Sequence, residues 1–411
     1  MNQADTAWML ISTALVLLMT PMLAFFYGGL VRSKNALNTM MMSFIALGFG
    51  GIIWALIAYS LAFAPGNDWI GGTSRALLNG VGIEPVSQAP TIPHMLYMSY
   101  QATFAIITAA LISGSIVERM RFSAYLAFIS LWGIVVYAPI AHWVWGGGWL
   151  AKMGALDFAG GTVVHVNAAM AAVACAIAVG KRREYPSSSL LPHNVPFTLM
   201  GAGVLWFGWF GFNAGSALAA NGIAGLAFTA TFLAPAATLV VWTFLDYIRS
   251  GKPTAVGAAT AIVVGLVAIT PAAGFVGPMN AIWLGGIAAI PSYLVLQWRA
   301  KTNFDDSLDV LAAHGVGGTV GALLTGVFAQ KAFNGIADGA LYGNPGQLGI
   351  QATAVAAAGI YSFVASFILV KAVGLVIALR PSPEDEMMGL DISQHGEEAY
   401  LHVESSNGMI A

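Results

Sequence analysis

Charge is what this sequence has least of. Asp, Glu, Lys and Arg make up 8% of the 411 residues and hydrophobic residues 58%, against about 25% charged in an ordinary soluble domain. So few charges cannot cover a chain of this size in polar surface, which excludes a soluble globular fold. The formal net charge is −2 and the longest basic run is Lys181–Arg183, so no nucleic-acid partner is expected. Cysteine is nearly absent. The single Cys175 can form no intrachain disulfide and, in an apolar helix, reads as a small buried hydrophobe. No HExxH or HxxxH spacing occurs, so neither a metal site nor a cofactor is expected. The first residues, MNQADTAWML, lack a basic n-region; no cleaved signal peptide is expected, and the first apolar stretch should remain as a span.

What is abundant is apolar length. Runs of about 20 residues, as a bilayer core of about 30 Å requires, recur at roughly 7–31, 37–64, 94–117, 122–141, 158–180, 196–215, 222–248, 254–272, 276–298, 307–330 and 348–379. The fold class is therefore an all-α polytopic membrane protein with about eleven transmembrane helices. The 48 glycines suit close approach of such helices. Alternate connections carry Arg32, Lys34, Arg119, Arg121, Lys181, Arg182, Arg183, Arg249, Lys252, Arg299 and Lys301; the other set carries Arg75, Lys152 and Lys331. Lysine and arginine favour the cytoplasm, which puts the amino terminus outside and, with an odd span number, the carboxyl terminus inside. Residues 1–380 read as one transmembrane domain. Pseudo-repeats at about 7–180 and 196–330 would be two inverted five-helix repeats, followed by a last helix at about 348–379. Residues 381–411 are polar and acidic and read as a cytoplasmic tail; any fold there must come from packing on the cytoplasmic loops.

Two spans carry a histidine. Asp157 precedes His165 by eight residues, and Asp306 precedes His314 by eight. Each aspartate stands where it can cap free N–H groups at a helix start. Each histidine is then ~12 Å along its span, at ~1.5 Å per residue, from opposite faces. A core imidazole bonded to a backbone carbonyl is the plain alternative. A titratable group at membrane depth, however, is costly and marks a pathway, and the two match in depth. Neutral imidazole offers one donor and one acceptor, which suits proton handling.

Aromatic residues cluster as well. Trp145 lies in AHWVWGGGWL, Gln101 and Phe104 in YQATFAIITAALISG, and Trp209, Phe212 and Ser216 in WFGWFGFNAGSAL. Tryptophans here could belong to an interfacial belt. They could also build a cation site, with an indole face worth ~0.5–2 kcal/mol and the Ser216 hydroxyl accepting a hydrogen bond. Phe104 and Phe212 would then form a hydrophobic constriction that passes neutral species more readily than hydrated ions.

These segments, together with ALVLLMTPMLAFFYGGLVRSKN, DFAGGTVVHVNAA, SLDVLAAHGVGGTVGALLTGVFA and GLDISQHGEEAY, resemble the ammonium transporter (Amt/Mep/Rh) superfamily, and more closely its bacterial Amt branch. The resemblance implies a transporter, not an enzyme, in the cell's inner (plasma) membrane, with ammonium or ammonia as substrate. It implies eleven spans, inverted repeats, a homotrimer with one pore per subunit, and a PII-type signalling protein as a possible partner at the cytoplasmic face. Carried over by motif, Trp145 and Ser216 match the outer ammonium site. Phe104 and Phe212 match its stacked gate, with Trp209 and Gln101 nearby. His165 and His314 match the twin pore histidines, and Asp157 matches the aspartate that shapes the outer site. Some relatives are sensors with little transport that signal through the tail, and that is the alternative function.

Overall fold

The computed structural model describes residues 1–186 and 190–400; residues 401–411 of the expected tail lie outside the described residues. Among the described residues eleven apolar helices succeed one another. They are α1 Gln3–Leu30, α2 Ser33–Phe63, α3 His94–Ser115, α4 Phe122–Met153, α5 Gly161–Val179, α6 Val195–Gly215, α7 Gly222–Ser250, α8 Ala255–Ile269, α9 Pro278–Arg299, α10 Leu311–Phe328 and α11 Gly346–Val376. Ten have the length and hydropathy to cross a bilayer, and α8 is a shorter apolar helix.

Packing centres on α1 against α6. Small residues make this closeness possible: a Cβ on Gly201 would stand 2.5 Å from the Phe26 nitrogen, and one on Gly211 would stand 2.8 Å from the Ser12 oxygen. In lipid, such contact replaces the hydrophobic effect as the force between helices. Several neighbour relations have counterparts later in the chain. α1 meets α2 as α6 meets α7, α2 meets α3 as α7 meets α8, and α5 meets α10.

Three elements differ from the apolar runs. The fourth span continues past 141: helix persists to Val144, breaks at 145–148 and resumes over Trp149–Met153. The break is rich in glycine, and Gly147 takes φ +85, a conformation that costs glycine little. The eighth run ends its helix at Ile269, short of residue 272. Pro271 follows, and its carbonyl accepts from Phe158 N at 3.1 Å, so the irregular backbone is satisfied by the loop that precedes α5. Finally, α5 and α10 begin at Gly161 and Leu311, each with a π-helical stretch, Gly161–Val166 and Leu311–Val316. The stretches after Asp157 and Asp306 are not regular helix, so the histidines sit in the first turns, nearer to the helix starts than the spacing from each aspartate implies.

The connections that carry most of the lysine and arginine are tied by a buried ion network. Arg182 donates to Glu118 at 2.7 Å and to Asp305 at 2.8 Å, and Arg32 donates to Glu118 at 2.9 Å. Fully buried Arg119 donates to the Asp305 carbonyl at 2.6 Å and to Ser307 Oγ at 2.5 Å. Burial alone would raise Glu118, but Arg182 and Arg32 hold it below the ordinary carboxylate range. Asp305 behaves likewise: burial opposes its charge, and Arg119 and Arg182 outweigh burial. The start of the tail packs here too. Two short helices, α12 Pro383–Met388 and α13 Leu390–His395, follow α11. Asp391 accepts from Leu37 N at 3.0 Å and Asn38 N at 2.7 Å, capping the start of α2, and Leu390 is buried. The described part of the tail thus folds on the loops.

Candidate functional site

The candidate path is a series of three spaces. The first, called the outer space for the orientation expected from sequence, is about 310 Å³ and is lined by Gln101, Phe104, Trp145 and Ser216 among others. Trp145 stands at the break within α4, directly after Val144, and its Nε1 donates to the Asp157 carbonyl at 2.8 Å. That bond uses the indole's one donor and fixes the ring. Ser216, at the end of α6, donates to the Phe212 carbonyl at 2.9 Å, which leaves its oxygen lone pairs for a ligand. Tyr100 completes the frame: its hydroxyl reaches the Gly211 and Phe212 carbonyls, both at 2.9 Å, and lies 3.3 Å from Ser216 Oγ.

Below this space the rings close. Phe104 and Phe212 stack at 4.2 Å and 26°, and Trp145 meets Phe104 edge-on at 5.8 Å. Both phenylalanines are buried. Phe212 faces His165 at 6.1 Å, Trp209 stacks on His165 at 5.5 Å, and His165 and His314 stack at 5.2 Å. The central cavity under Phe212 is about 10 Å³ and is lined by Trp209, both histidines and aliphatic side chains. That is space for about one water-sized molecule.

The two imidazoles meet through Nδ1, 3.2 Å apart. Two acceptors cannot pair, so when both rings are neutral one Nδ1 donates and the other accepts. One Nε2 then carries a hydrogen and the other a lone pair. His165 Nε2 is buried without a protein partner, so it is free for a molecule in the lumen. Trp209 is held by its Nε1, which donates to Thr270 Oγ1 at 2.9 Å.

Asp157 positions the first histidine. Its Oδ1 accepts from Gly160 N (2.9 Å) and Gly161 N (2.6 Å); its Oδ2 accepts from Thr162 N (2.9 Å) and Val163 N (3.0 Å). Four N–H groups on one carboxylate stabilise its charge and pin the π-helical turn that carries His165. Asp157 thus joins the first space to the core, holding Trp145 by its carbonyl and the His165 turn by its side chain. Asp306 is the counterpart: its Oδ2 accepts from Leu311 N at 2.7 Å and its Oδ1 from Ser115 Oγ at 2.5 Å.

Beyond the histidines a third space of about 640 Å³ is lined by His314, Tyr27, Asp309 and Arg299 among others. Phe26, Val263 and His314 line both this space and the central one, so they form the wall between them. Asp309 is pushed up to about 7 by burial, with Asp306 adding to the rise and Arg299 opposing it.

A sequence model described as the Ammonium Transporter Family matches residues 7–400. The chain belongs to the ammonium transporter family. It is 48% identical over 402 residues to an ammonium transporter of Bacillus subtilis, covering 97% of this chain and 99% of that one. The crystal structure of Saccharomyces cerevisiae Mep2 superposes with a TM-score of 0.90 at 34% identity, covering 98% of this chain and 93% of that one. A structure titled Sensor Amt Protein superposes at 0.88 with 30% identity, covering 95% and 98%.

All nine residues singled out from sequence in this ammonium transporter family member fall along the path. Gln101, Trp145 and Ser216 line the outer space, Phe104 and Phe212 close it, Trp209, His165 and His314 line the core, and Asp157 stands behind. Three contributors were not anticipated. Tyr100 had a signal: it lies four residues before Phe104 and so shares its helix face. Thr270 and Phe26 had none, because a loop threonine and an apolar helix residue look alike at many positions in such a chain.

Proposed function

We propose that this protein captures ammonium at Trp145, Phe104 and Ser216, removes its proton, and conducts ammonia past Phe104 and Phe212 along His165 and His314. Membership of the family supports transport. The observation that carries the mechanism is the size and polarity of the core: about 10 Å³, walled by aromatic and aliphatic side chains with two facing imidazoles. An isolated ammonium-sized ion taken into an apolar medium costs tens of kcal/mol in the Born limit, whereas ammonia carries no such penalty. Asp157 shapes the outer site through Trp145 and holds the His165 turn.

The molecule works as a homotrimer in the inner (plasma) membrane, amino terminus outside, and a PII-type protein docks on the cytoplasmic face. The uneven distribution of lysine and arginine supports the orientation, and the family resemblance supports the rest. The second reading is a sensor that binds ammonium with little flux; the likeness to a sensor Amt protein and the tail's contacts with the start of α2 favour it. An ammonium concentration jump on reconstituted protein separates the two. A transporter gives a sustained ammonium-evoked current or internal pH change, and a sensor gives binding alone.

A further inference from the structure

The loop that carries Asp157 is gripped from a helix that lines none of the three spaces. α11 packs on both α5 and α10, the helices of the two histidines. It holds two buried glutamines one turn apart, Gln347 and Gln351, although glutamine is mostly an exposed residue. Gln351 Oε1 accepts from Leu156 N at 2.7 Å, and its Nε2 donates to the Leu156 carbonyl at 2.7 Å and to the Ala322 carbonyl at 3.1 Å. The same oxygen accepts from Gln347 Nε2 at 3.3 Å, and that nitrogen donates to the Gly154 carbonyl at 3.0 Å. Both hydrogens and both oxygen lone pairs of the Gln351 amide are thus in use. Gly326 on α10 makes room for it: a Cβ there would stand 2.9 Å from Gln351 Cγ.

Leu156 directly precedes Asp157, whose carbonyl holds Trp145 and whose carboxylate holds the turn of His165. Irregular backbone at membrane depth needs partners, and the two bonds to Leu156 meet that need. The third bond goes further. Ala322 sits inside α10, eight residues after His314, where the helix ladder already gives its carbonyl a partner. That bond is not required to satisfy backbone; it joins the Asp157 loop to the helix of the second histidine. We propose that Gln351 is a positioning residue for the path. It sets where Asp157 stands relative to α10, and through Asp157 it orients Trp145 in the outer space and His165 against His314. This rests on the reading of Trp145 as part of the ammonium site.

The test records ammonium-evoked currents of the reconstituted full-length protein and separates the half-saturating concentration from the maximal current. The proteins are wild type, Trp145→Leu, and Gln351→Met and Gln351→Glu each in both backgrounds. Gln351→Met keeps the length and removes both donors and the amide oxygen. In the wild-type background it should raise the half-saturating concentration about fivefold or more, as coupling within one hydrogen-bond network allows. In Trp145→Leu no indole N–H remains for Asp157 to hold, and the same change should move the value less than about twofold. A clasp that merely keeps the protein folded would lower the maximal current at an unchanged half-saturating concentration, and that result overturns the proposal. Equal shifts in both backgrounds also overturn it, because Gln351 would then not act through Trp145. If Trp145→Leu alone shifts nothing, the ammonium-site reading falls, and the route from Gln351 to substrate falls with it. Should Gln351→Met not fold, Gln351→Glu decides: it keeps an oxygen for Leu156 N and lacks the amide donors. It must raise the half-saturating concentration in the wild-type background and not in Trp145→Leu, or the proposal fails.

Discussion

Removing the Asp157 carboxylate should damage the path at the turn that carries His165. Asp157→Ala leaves four backbone N–H groups, those of residues 160–163, without an acceptor. These residues are buried, and water does not readily replace the lost oxygen. Each orphaned donor costs about 1–3 kcal/mol, giving about 4–12 kcal/mol if none relaxes. That overlaps the whole margin of about 5–15 kcal/mol by which proteins are stable, so the π-helical turn should rearrange before it tolerates the loss. Asp157→Asn is the graded version: one oxygen remains, two donors lose theirs, and the cost is about 2–6 kcal/mol. The assay pairs thermal unfolding in detergent with ammonium flux in liposomes. Both variants should lose flux, alanine more than asparagine, with Tm falling in the same order. If Asp157→Ala kept wild-type Tm and flux, the four bonds would not be holding His165 in place and the reasoning would be refuted.

Other outcomes follow from the same contacts. Thr270→Val removes the acceptor for Trp209 Nε1, a loss of about 1–3 kcal/mol; ammonium flux should drop, and Trp209→Phe, which needs no acceptor, should abolish the effect of the threonine change. Phe212→Ala breaks a stacked pair worth ~0.5–1.5 kcal/mol beyond its burial and opens the constriction, so proteoliposomes carrying it should show faster osmotic water flow than wild type; equal rates would contradict the gate. Glu118 is held below its ordinary range by Arg182 and Arg32 against the opposing effect of burial. Its contribution is therefore present above the unfolded carboxylate value of about 4.3 and is lost as pH falls through the lower folded value. Glu118→Gln should cost about 3–5 kcal/mol at neutral pH, as expected for breaking a buried pair, and should weaken the dependence of Tm on acid; an unchanged acid limb would count against it.

Much of the path was legible because membrane burial makes polar residues conspicuous. In chains with so few charges, His165, His314 and Asp157 stand out, and apolar run length locates the spans. What stayed hidden was local geometry. Helices that are apolar on nearly every face carry little periodic signal, so the π-helical starts of α5 and α10 left no trace in spacing, and counting residues from Asp157 and Asp306 placed the histidines too far along. The break after Val144 coincides with GGG at 146–148, but the apolar run ended at 141, so helix on either side of that break was not expected. The early end of α8 was marked by Pro271, whose carbonyl finds its partner 113 residues earlier, at Phe158; a pairing of that range is not visible in sequence. The same holds for Thr270 with Trp209 and for Asp391 with the start of α2.

The most direct test of the central claim is to record ammonium-evoked current and ammonium uptake side by side for wild-type and His165→Ala protein in the same liposomes. A path that strips the proton outside and moves ammonia between facing imidazoles predicts that the variant loses flux or changes the ratio of charge to ammonium moved. Current and uptake both equal to wild type would contradict a proton-handling role for the histidine pair.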